Sequence, residues 1–532
     1  MALRVLIAEE IAPSGIDALR EAGFTVDERL GLSPDELLDA VVGADALVIR
    51  SSTQVTEAVL NAGADLTVVG RAGIGLDNVD VEAATARGVM VVNAPQSNVI
   101  SAAEHTVALL LAQARNIPQA NADLKNGAWN RSHWTGVELH GKTLAVVGLG
   151  RVGVLVAQRL LAFGMQIIAY DPYVSAERAR QLGIRLIDNL EEVIQHADFL
   201  TVHLPKTPET MGLFDASLLA HAKANLRIVN TARGGIIDEA ALAAAISEGR
   251  IAGAAIDVFA TEPTTDSPLF ALPSVVVTPH LGASTVEAQD KAGQTIAEQL
   301  VLALRGEFVP YAVNVAATQA NATVAPFLPL AERLGRLLVA LADGDLVSIE
   351  VVCEGEIGDY DCGVLTLGAL KGALKGAGEE TASFVNAPQL AEKRGLEVTQ
   401  SATATAGDFV NLITVRGVSG TKTGGQIVNV SGTLLGKHAG ARIVGINYHS
   451  VDLPPADYML VVRNDDTPGM IGTVGTTLGA AGVNIADMDV GTNIAGEAAL
   501  MVLATYGSVP EAAVKELRAT KGVLEVHAIS LA

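Results

Sequence analysis

VVGLGRVG, residues 146–153, is the stretch that decides the fold of the central part of this chain. Its glycines, Gly148, Gly150 and Gly153, follow the apolar run LAVV. Apolar residues continue after them at helical spacing, at Val152, Val156, Leu160 and Phe163. The pattern predicts a strand, a tight turn and a helix. In such a turn the first glycine permits the sharp bend, the second admits a pyrophosphate to the backbone, and the third lets helix and strand pack closely.

Glycine makes up 53 of the 532 residues, so three spaced glycines alone would be weak evidence for a nucleotide site. The next predicted strand, MQIIAYDP, ends at Asp171, close to the spacing of about 20 residues at which a ribose-binding acid is expected. A carboxylate there accepts hydrogen bonds from both ribose hydroxyls and repels a 2′-phosphate, which favours NAD over NADP. The alternative is a tight strand-to-helix turn followed by a surface aspartate.

Composition limits the class of protein. A chain of 532 residues is too long for one hydrophobic core, and 49% hydrophobic residues with 4% aromatics indicate folded α/β domains. The net charge of −23 disfavours nucleic acid and acidic membranes as partners. No apolar run of about 18 residues and no signal-peptide pattern occurs, so a cytoplasmic protein is expected. Cys353 and Cys362 indicate two packed thiols, and no metal site is expected.

The order of elements predicts several domains. Residues 3–95 alternate short apolar runs with helical patterns, which predicts a small parallel sheet. A long helix is predicted over 98–117, followed by a second set of βα units up to about residue 280. Residues 316–330 carry small residues and two prolines and are interpreted as a linker. The last 75 or so residues show the β-α-β-β-α-β order of a ferredoxin-like module.

Ionisable residues follow three successive strands of the second set. They are Arg233 in ARGG, Asp257 and Glu262 in DVFATEP, and His280 in TPHLGAS. Ligands of open parallel sheets bind at the carboxyl ends of the strands. Histidine titrates near neutral pH and is the natural base for a hydroxyl proton, while a carboxylate orients it and an arginine binds a substrate carboxylate. Each residue alone is more often solvated or a loop anchor, so the grouping carries the catalytic interpretation.

GLGRVG, ARGGIIDE, DVFATEP and TPHLGAST, in this order and spacing, resemble the D-2-hydroxyacid dehydrogenases, and among them the long branch that oxidises D-3-phosphoglycerate. The resemblance implies an α/β protein with two Rossmann-like doubly wound parallel-sheet domains, an α+β intervening domain and a ferredoxin-like ACT domain. The implied bounds are 1–97 with 281–315 for a discontinuous, flavodoxin-like substrate domain, 98–280 for the NAD domain, 316–453 for the intervening regulatory domain and 454–532 for the ACT domain.

The resemblance also implies roles for single residues. The catalytic arginine, glutamate and histidine of the family fall on Arg233, Glu262 and His280. At Ile74 and Leu204 some relatives carry threonine, so any contact with the cofactor there must be backbone or apolar. Asp257 would bond the nicotinamide amide. The full implied set of cofactor contacts is Ile74, Gly148, Gly150, Arg151, Val152, Gly153, Asp171, Leu204, Thr231, Ala232, Asp257, Gly282 and Ala283.

The substrate that the resemblance implies, 3-phosphoglycerate, would need cationic or N–H groups for its carboxylate and its phosphate. The resemblance places the phosphate near Arg50 and the carboxylate near the Ile74–Gly75 backbone and Arg233, with His280 at the reacting carbon. Arg131 or His133 from a neighbouring subunit is a further candidate. Arg71 also ends a predicted strand, and a structural role in tying loops together is equally compatible with its position.

The tail contains RNDDTPGMIG and GVNIAD, loops that bind an amino acid in the family where two ACT domains pair. The implied effector is L-serine, with Asn464, Asp466 and Asn484 as contacts, and a homo-oligomer, expected to be a tetramer, forms through the cofactor and ACT domains. A pure dimerisation module is the alternative for the tail. Another 2-hydroxy acid dehydrogenase, for hydroxypyruvate or glyoxylate, and a non-catalytic NAD-sensing scaffold are the alternatives for the whole chain.

Overall fold

The computed structural model describes residues 2–315, 323–420, 425–435, 440–492 and 498–531. Within these residues the strands form four sheets, two of them wholly parallel, one mixed and one wholly antiparallel. The α/β class predicted from the sequence is confirmed. None of the helices in these ranges is long and apolar enough to span a bilayer.

The first sheet has five parallel strands in the order β2-β1-β3-β4-β5, which is flavodoxin-like. Its elements are β1 (Arg4–Ile7), α1 (Pro13–Glu21), β2 (Thr25–Glu28), α2 (Pro34–Ala40), β3 (Ala46–Ile49), α3 (Glu57–Ala62), β4 (Val68–Arg71), α4 (Val81–Ala86) and β5 (Met90–Asn93). Four of its strands are largely buried, as expected when helices cover both faces of a parallel sheet, whereas the edge strand β2 has no buried residue.

One helix of this first unit comes from far along the chain. The helix Val286–Leu304 (α12) packs on α1 so closely that a Cβ at Gly15 would meet the backbone of Gly293. Ile296 and Leu300 of α12 enter the same core as the strands of the first sheet. The chain therefore returns to the first sheet after completing the second, as a discontinuous first domain requires.

The second sheet has seven parallel strands in the order β12-β11-β10-β9-β6-β7-β8. Its direction of growth reverses between β6 and β9, which is where doubly wound sheets bind ligands. Its strands are β6 (Thr143–Val147), β7 (Gln166–Tyr170), β8 (Arg185–Leu186), β9 (Phe199–Val202), β10 (Arg227–Asn230), β11 (Gly253–Ile256) and β12 (Val275–Val277). Its helices are α5 (Val99–Ala114), α6 (Ile117–Lys125), α7 (Arg151–Leu161), α8 (Ala176–Gln181), α9 (Leu190–His196), α10 (Ala216–Leu219) and α11 (Glu239–Ser247).

One position of the predicted helix face is wrong. Val156 and Leu160 are buried in α7, but the helix ends at Leu161 and Phe163 is 45% exposed. Gly164, with a φ of 76°, turns the chain toward β7. Phe163 therefore lies past the end of the helix, where the helical spacing no longer applies.

The third sheet is mixed, with six strands in the order β14-β13-β15-β16-β17-β18. β14 runs parallel to β13, and the other pairs are antiparallel. The strands are β13 (Leu346–Gly355), β14 (Glu397–Thr403), β15 (Asn411–Ser419), β16 (Gln426–Leu435), β17 (Gly440–Ile446) and β18 (His449–Leu453). The helices are α13 (Leu328–Leu341), α14 (Gly363–Gly376) and α15 (Ala387–Lys393), with short 3₁₀ turns at Ala325–Phe327 and Glu356–Asp359.

The linker predicted over 316–330 is wrong for the part that the structure describes, residues 323–330. Val324, Phe327, Leu328 and Leu330 are buried in the core of the third sheet, and α13 begins at Leu328. The two prolines of this segment stand in the first turns of helical elements, where a missing N–H costs nothing. Residues 316–322, where the predicted linker and third domain begin, lie outside the described residues.

The fourth sheet is antiparallel, in the order β20-β21-β19-β22. Its elements are β19 (Tyr458–Asn464), α16 (Met470–Ala480), β20 (Ile485–Thr492), β21 (Ala499–Thr505), α17 (Glu511–Ala519) and β22 (Val523–Ser530). This is the ferredoxin-like order predicted from the sequence. One face of the sheet buries apolar residues such as Val461 and Val502 against the third sheet and α13, so both modules share one core. The domain bounds given above remain predictions.

Candidate active site

The glycine loop after β6 is shaped by the space around each glycine. Gly148 has a φ of 98°, and a Cβ there would meet the carbonyl of His203. A Cβ at Gly153 would meet the carbonyl of Gly148, whereas one at Gly150 would meet nothing within 4 Å. Helix α7 starts at Gly150 with no capping side chain, so its first N–H groups are available to an anion. The loop has the shape that an approaching pyrophosphate requires, and its contact with the cofactor remains a prediction.

Asp171 is held against this loop. It follows β7, and its Oδ2 accepts a hydrogen bond from the Leu149 N–H at 2.8 Å while Oδ1 accepts one from Tyr173 N at 2.9 Å. The glycine loop therefore orients the carboxylate at the edge of the sheet where an adenosine ribose is expected. The contact of Asp171 with the ribose remains a prediction.

The other predicted cofactor residues line the same edge. Leu204 follows β9 and lies beside Gly148, and the Thr231 hydroxyl is 2.6 Å from that of Thr106. The Ala232 N–H donates to Asn230 Oδ1, and Arg151 donates to the Pro95 carbonyl at 3.1 Å. Four predicted positions remain. Val152, Ile74 and Ala283 are half-buried, and Gly282 lies beside the Asp257 carboxylate.

His280 and Glu262 form a pair across two loops. His280 Nδ1 is 2.6 Å from Glu262 Oε2, and Glu262 Oε1 accepts the Phe259 N–H at 2.7 Å. Burial alone would raise the pKa of Glu262, but the hydrogen bonds from His280 and Phe259 outweigh it and the pKa lies below its usual value. Glu262 is thus ionised at neutral pH, and Nε2 of His280 is left for a substrate.

Asp257 anchors the turn that carries His280. Its side chain is fully buried, and Oδ1 accepts hydrogen bonds from Thr278 Oγ1 at 2.6 Å and Leu281 N at 2.7 Å. Its Oδ2 accepts one from Gly282 N at 2.9 Å, and its backbone carbonyl accepts the His280 N–H. The predicted bond from Asp257 to a nicotinamide amide would use the remaining lone pair of Oδ2.

Arg233 connects the two parallel sheets. It follows β10 of the second sheet, and its Nε lies 3.2 Å from Asp77 Oδ2 in the loop after β4 of the first. Its Nη1 donates to the Ala232 carbonyl at 2.7 Å, and its Nη2 lies where a Cβ on Gly75 would stand. Gly75 must therefore be a glycine for Arg233 to reach this point. The carbonyl of the neighbouring Ile74 accepts a bond from Asn93 Nδ2 at 2.7 Å.

A cleft of about 1360 Å³ between the two sheets contains these groups. Arg233, Glu262 and His280 line it from the second sheet, and Arg50 and Arg71 line it from the first. Arg50 donates from Nη1 to the Glu10 carbonyl at 3.3 Å, with its backbone N–H on Glu9 Oε1. The structure thus brings the predicted catalytic and substrate residues to one cleft.

Arg71 is the most deeply set of these cations. Its Nε is buried and has no hydrogen-bond partner in the described part of the chain. Burial, followed by the nearby charge of Arg233, lowers its pKa to about 10, so it stays cationic at neutral pH. A guanidinium in such a place adds positive potential to the floor of the cleft.

The sequence reasoning missed two residues of the site. Asp77, in GLDN, pairs with Arg233, and His105, in SAAEHTV on α5, lies 3.2 Å from Asp257 Oδ1. Neither follows a strand of the second sheet, so the strand-end rule that found the others does not reach them. Their partners stand about 150 residues away in the chain, which no local spacing reveals.

The predicted effector residues do not meet within one chain. Asn464 Oδ1 accepts the Asp466 N–H at 3.0 Å, and Asp466 has a φ of 56°, so these two form one loop after β19. Asn484 precedes β20, and its carbonyl accepts the Tyr506 N–H at the opposite end of the same sheet. The strand between the two ends is seven residues long, which separates them by about 20 Å.

Three family models match the chain. The NAD-binding domain of the D-isomer specific 2-hydroxyacid dehydrogenases matches residues 107–282. The intervening domain of D-3-phosphoglycerate dehydrogenase matches residues 323–447, and the ACT domain matches residues 458–522.

Curated relatives match over nearly the full length. D-3-phosphoglycerate dehydrogenase of Mycobacterium tuberculosis is 50% identical over 509 residues, which is 95% of each chain. The enzyme of the same name from Bacillus subtilis is 39% identical over 532 residues, 99% of each chain.

Solved structures match somewhat more than half of the chain. The TT0316 protein of Thermus thermophilus is 35% identical, with a TM-score of 0.55 over 58% of this chain and 100% of that one. The NADPH-dependent glyoxylate/hydroxypyruvate reductase of Sinorhizobium meliloti is 28% identical, with a TM-score of 0.53 over 59% of this chain and 98% of that one. Together with the full-length relatives and the site geometry, these matches show that the chain belongs to the D-3-phosphoglycerate dehydrogenase family and is an oxidoreductase with NAD as its cofactor.

Proposed function

We propose that this chain oxidises D-3-phosphoglycerate at C2 to 3-phosphohydroxypyruvate, as the first step of serine biosynthesis. The observation that carries the proposal is the His280–Glu262 pair, which shares one cleft with the guanidinium groups of Arg233, Arg50 and Arg71. The pair supplies a base for a hydroxyl proton. The cations supply counter-charges for a substrate with a carboxylate and a phosphate.

The proton of the C2 hydroxyl is taken by His280. Its Nδ1 is held by Glu262, so Nε2 is the nitrogen that faces the substrate and accepts the proton. The ionised Glu262 then stabilises the imidazolium that forms, as a carboxylate does in other histidine-based sites. NAD, when bound, supplies the acceptor for the hydride that leaves C2.

Arg233 binds the substrate carboxylate. Its guanidinium already stands against Gly75, with one N–H on the Ala232 carbonyl and one on Asp77, so its plane is fixed before substrate arrives. A planar guanidinium pairs with a carboxylate through two parallel hydrogen bonds. The C2 oxygen is thereby placed between Arg233 and His280, and the phosphate extends toward Arg50.

The test compares kcat/KM for 3-phosphoglycerate with kcat/KM for unphosphorylated 2-hydroxy acids, in the presence of NAD. We expect the phosphorylated substrate to be preferred by at least about 100-fold, because two or more charge-assisted contacts are lost without the phosphate. Arg50→Gln should reduce that preference, while Arg20→Gln, at an exposed position of α1, serves as the matched control. Equal kcat/KM values would assign the chain to a hydroxypyruvate or glyoxylate reductase instead, and no turnover at all would favour the NAD-sensing scaffold.

The chain also carries the parts of a feedback site, and we infer that L-serine inhibits it. Because Asp466 and Asn484 stand at opposite ends of one sheet, a site that uses both must form between two ACT domains paired in opposite directions. Exposed apolar residues on and after α6, namely Ile117, Leu124 and Trp129, support a second contact between copies through the cofactor domain.

The inhibition is measured by adding L-serine to the same assay. Asp466→Ala should abolish inhibition and leave turnover without serine unchanged, since Asp466 is remote from the cleft. If millimolar serine has no effect on the wild-type chain, the ACT domain acts as an assembly module alone.

A further inference from the structure

The carboxylate of Asp257 is buried and binds several groups of the site, a role that the reaction described above does not include. Its exposed fraction is 0%, and Thr278 and the backbone N–H groups of Leu281 and Gly282 donate to it. Within the described residues, one basic side chain lies within 4 Å of it, the imidazole of His105 on α5.

His105 reaches two members of this cluster at once. Its Nε2 lies 3.2 Å from Asp257 Oδ1 and 3.2 Å from Thr278 Oγ1, and its side chain is 20% exposed. The Thr278 hydroxyl donates in turn to Asp257 Oδ1 at 2.6 Å. His105 does not line the substrate cleft, so any influence on the reaction passes through Asp257 and Thr278.

Asp257 determines the backbone at the catalytic histidine. His280 has a φ of 54°, a conformation that a residue with a side chain rarely adopts unless its surroundings impose it. Three successive N–H groups, of His280, Leu281 and Gly282, donate to the carbonyl or carboxylate of Asp257. The turn is therefore held in place by hydrogen bonds to one residue, Asp257.

The hydrogen bonds that hold the turn depend on the ionised form of Asp257. A carboxylate accepts on both oxygens, whereas a protonated acid must use one oxygen as a donor and would lose a backbone partner. Burial favours protonation and raises the pKa of Asp257, but the bond from His105 is the largest of the effects that lower it, and the net pKa lies below the usual value. The ionisable groups that face Asp257 are His105 from α5, and Glu262 and His280 from the loops after β11 and β12.

We propose that His105 is a positioning residue for the dehydrogenase reaction: by pairing with the buried Asp257 it keeps the carboxylate oriented to hold the strained turn that presents His280 to the substrate. This inference rests on the proposed oxidation of 3-phosphoglycerate. It assigns no contact with substrate or cofactor to His105.

The experiment uses the full-length chain with His105→Leu, which removes the ring nitrogens, and His105→Gln, which keeps an N–H donor on a side chain that does not titrate. His196→Gln, an exposed helical histidine on α9, is the matched control. Turnover is measured from pH 4 to 9 with NAD and 3-phosphoglycerate, and NADH binding and Tm are measured on each variant.

We expect His105→Leu to lower kcat by about 10- to 100-fold, the loss that follows when a catalytic group is misplaced by a fraction of an ångström to an ångström. KM should change less than kcat, because the arginines that bind the substrate are untouched. The acid limb of kcat should move to higher pH, since Asp257 is protonated more easily without His105. His105→Gln should restore part of kcat but not the position of the acid limb.

Wild-type kcat and an unshifted acid limb in His105→Leu would overturn the proposal. So would a loss of kcat that parallels a fall in Tm and in NADH binding, with no rescue by glutamine, because that result describes a structural role only. If His105→Leu does not fold, an unchanged pH profile in His105→Gln overturns the proposal as well. Failure of the wild-type chain to oxidise 3-phosphoglycerate would instead reject the proposed function, and the variants would then be compared on whichever 2-hydroxy acid is oxidised.

Discussion

At His280 a strained backbone and an ionised neighbour act on one side chain. The φ of 54° aims the ring at the cleft, and Glu262 at 2.6 Å fixes which nitrogen is left for the substrate. Asparagine tolerates this backbone region better than other residues with a side chain. A substitution to asparagine therefore removes the base without disturbing the turn.

His280→Asn is expected to lower kcat by about 10²- to 10⁴-fold, the range that a positioned acid–base group contributes. NADH affinity, measured by fluorescence titration, should stay close to the wild-type value because the glycine loop and Asp171 are unchanged. The exposed His221→Asn serves as the control and should keep full turnover. Wild-type turnover in His280→Asn would remove His280 from the role of base.

His203, at the end of β9, gives a prediction for stability. Burial lowers its pKa from 6.5 to about 4, and its Nε2 lies 3.0 Å from Thr201 Oγ1. The folded chain keeps the ring neutral while the unfolded chain takes up a proton as the pH falls below about 6.5, so stability is lost between pH 6.5 and 4. The residue as a whole is half-buried, and we expect a loss on the order of 2 kcal/mol from it.

His203→Gln keeps a partner for Thr201 and does not titrate in this range. The fall in Tm between pH 7 and pH 5, measured by calorimetry, should therefore be smaller in the variant than in the wild-type chain. Asp257 and Glu262 also lose stabilisation as the pH falls, because their pKa values lie below the usual ones, but they do so in both proteins. Identical slopes in the two proteins would contradict a neutral His203 in the folded state.

The residues that the sequence located are those that follow strands. Arg233, Glu262 and His280 could be placed in one site because parallel strands bring their carboxyl ends to one edge. His105 and Asp77 could not, since a helix face or a loop of the other sheet supplies them and pairing across about 150 residues leaves no periodic signal. The left-handed backbone of His280 could not be predicted either, because nothing in the local sequence indicates a positive φ at this histidine.

At the level of elements, the turn between β6 and α7 separates two uses of glycine. Gly153 is needed by the protein itself, because a Cβ would meet the Gly148 carbonyl. Gly150 has open space around it and an ordinary φ of −69°, so the folded chain alone does not require a glycine there. The space at Gly150 is where the pyrophosphate is expected.

Gly150→Ala should therefore leave Tm nearly unchanged and raise the Kd of NAD by about tenfold or more, since a methyl group would stand where the backbone must approach the phosphates. Gly153→Ala should lower Tm by several degrees, because helix and strand must move apart. Thermal unfolding and NAD titration of both variants measure the two effects. Equal loss of Tm in both would show that Gly150 is structural as well.

Periodicity predicted the elements better than their ends. The order of strands and helices followed from apolar runs and spacing, whereas Phe163 was assigned to a helix that Gly164 stops. The segment before α13 was interpreted as a linker because of its prolines, although prolines are well tolerated in the first helical turn. Both errors arise where a residue type has two structural uses.

At the scale of the molecule, the buried residues divide the chain into two parts. The cores of the first two sheets are built from residues up to 312, and the described residues beyond 323 add nothing to them. The core of the third sheet, by contrast, includes one face of the fourth, with Met459, Val461, Leu500, Val502 and Ile529 among its members. The intervening module therefore depends on the ACT sheet for part of its burial.

Two truncations test this division. A chain ending at residue 315 keeps every residue of the cleft and its own cores, and we expect it to oxidise 3-phosphoglycerate with a kcat of the same order as the full chain, without a response to serine.

A chain ending at residue 453 loses six buried apolar side chains from a shared core, Met459, Val461, Leu500, Val502, Ile529 and Leu531. Their loss removes on the order of 10 kcal/mol of burial from the remaining module and exposes a wide apolar face. The chain ending at residue 453 should thus aggregate or unfold at a lower temperature than the chain ending at residue 315, as seen by gel filtration and calorimetry. A monodisperse chain 1–453 with the Tm of the full chain would show that the two modules are independent.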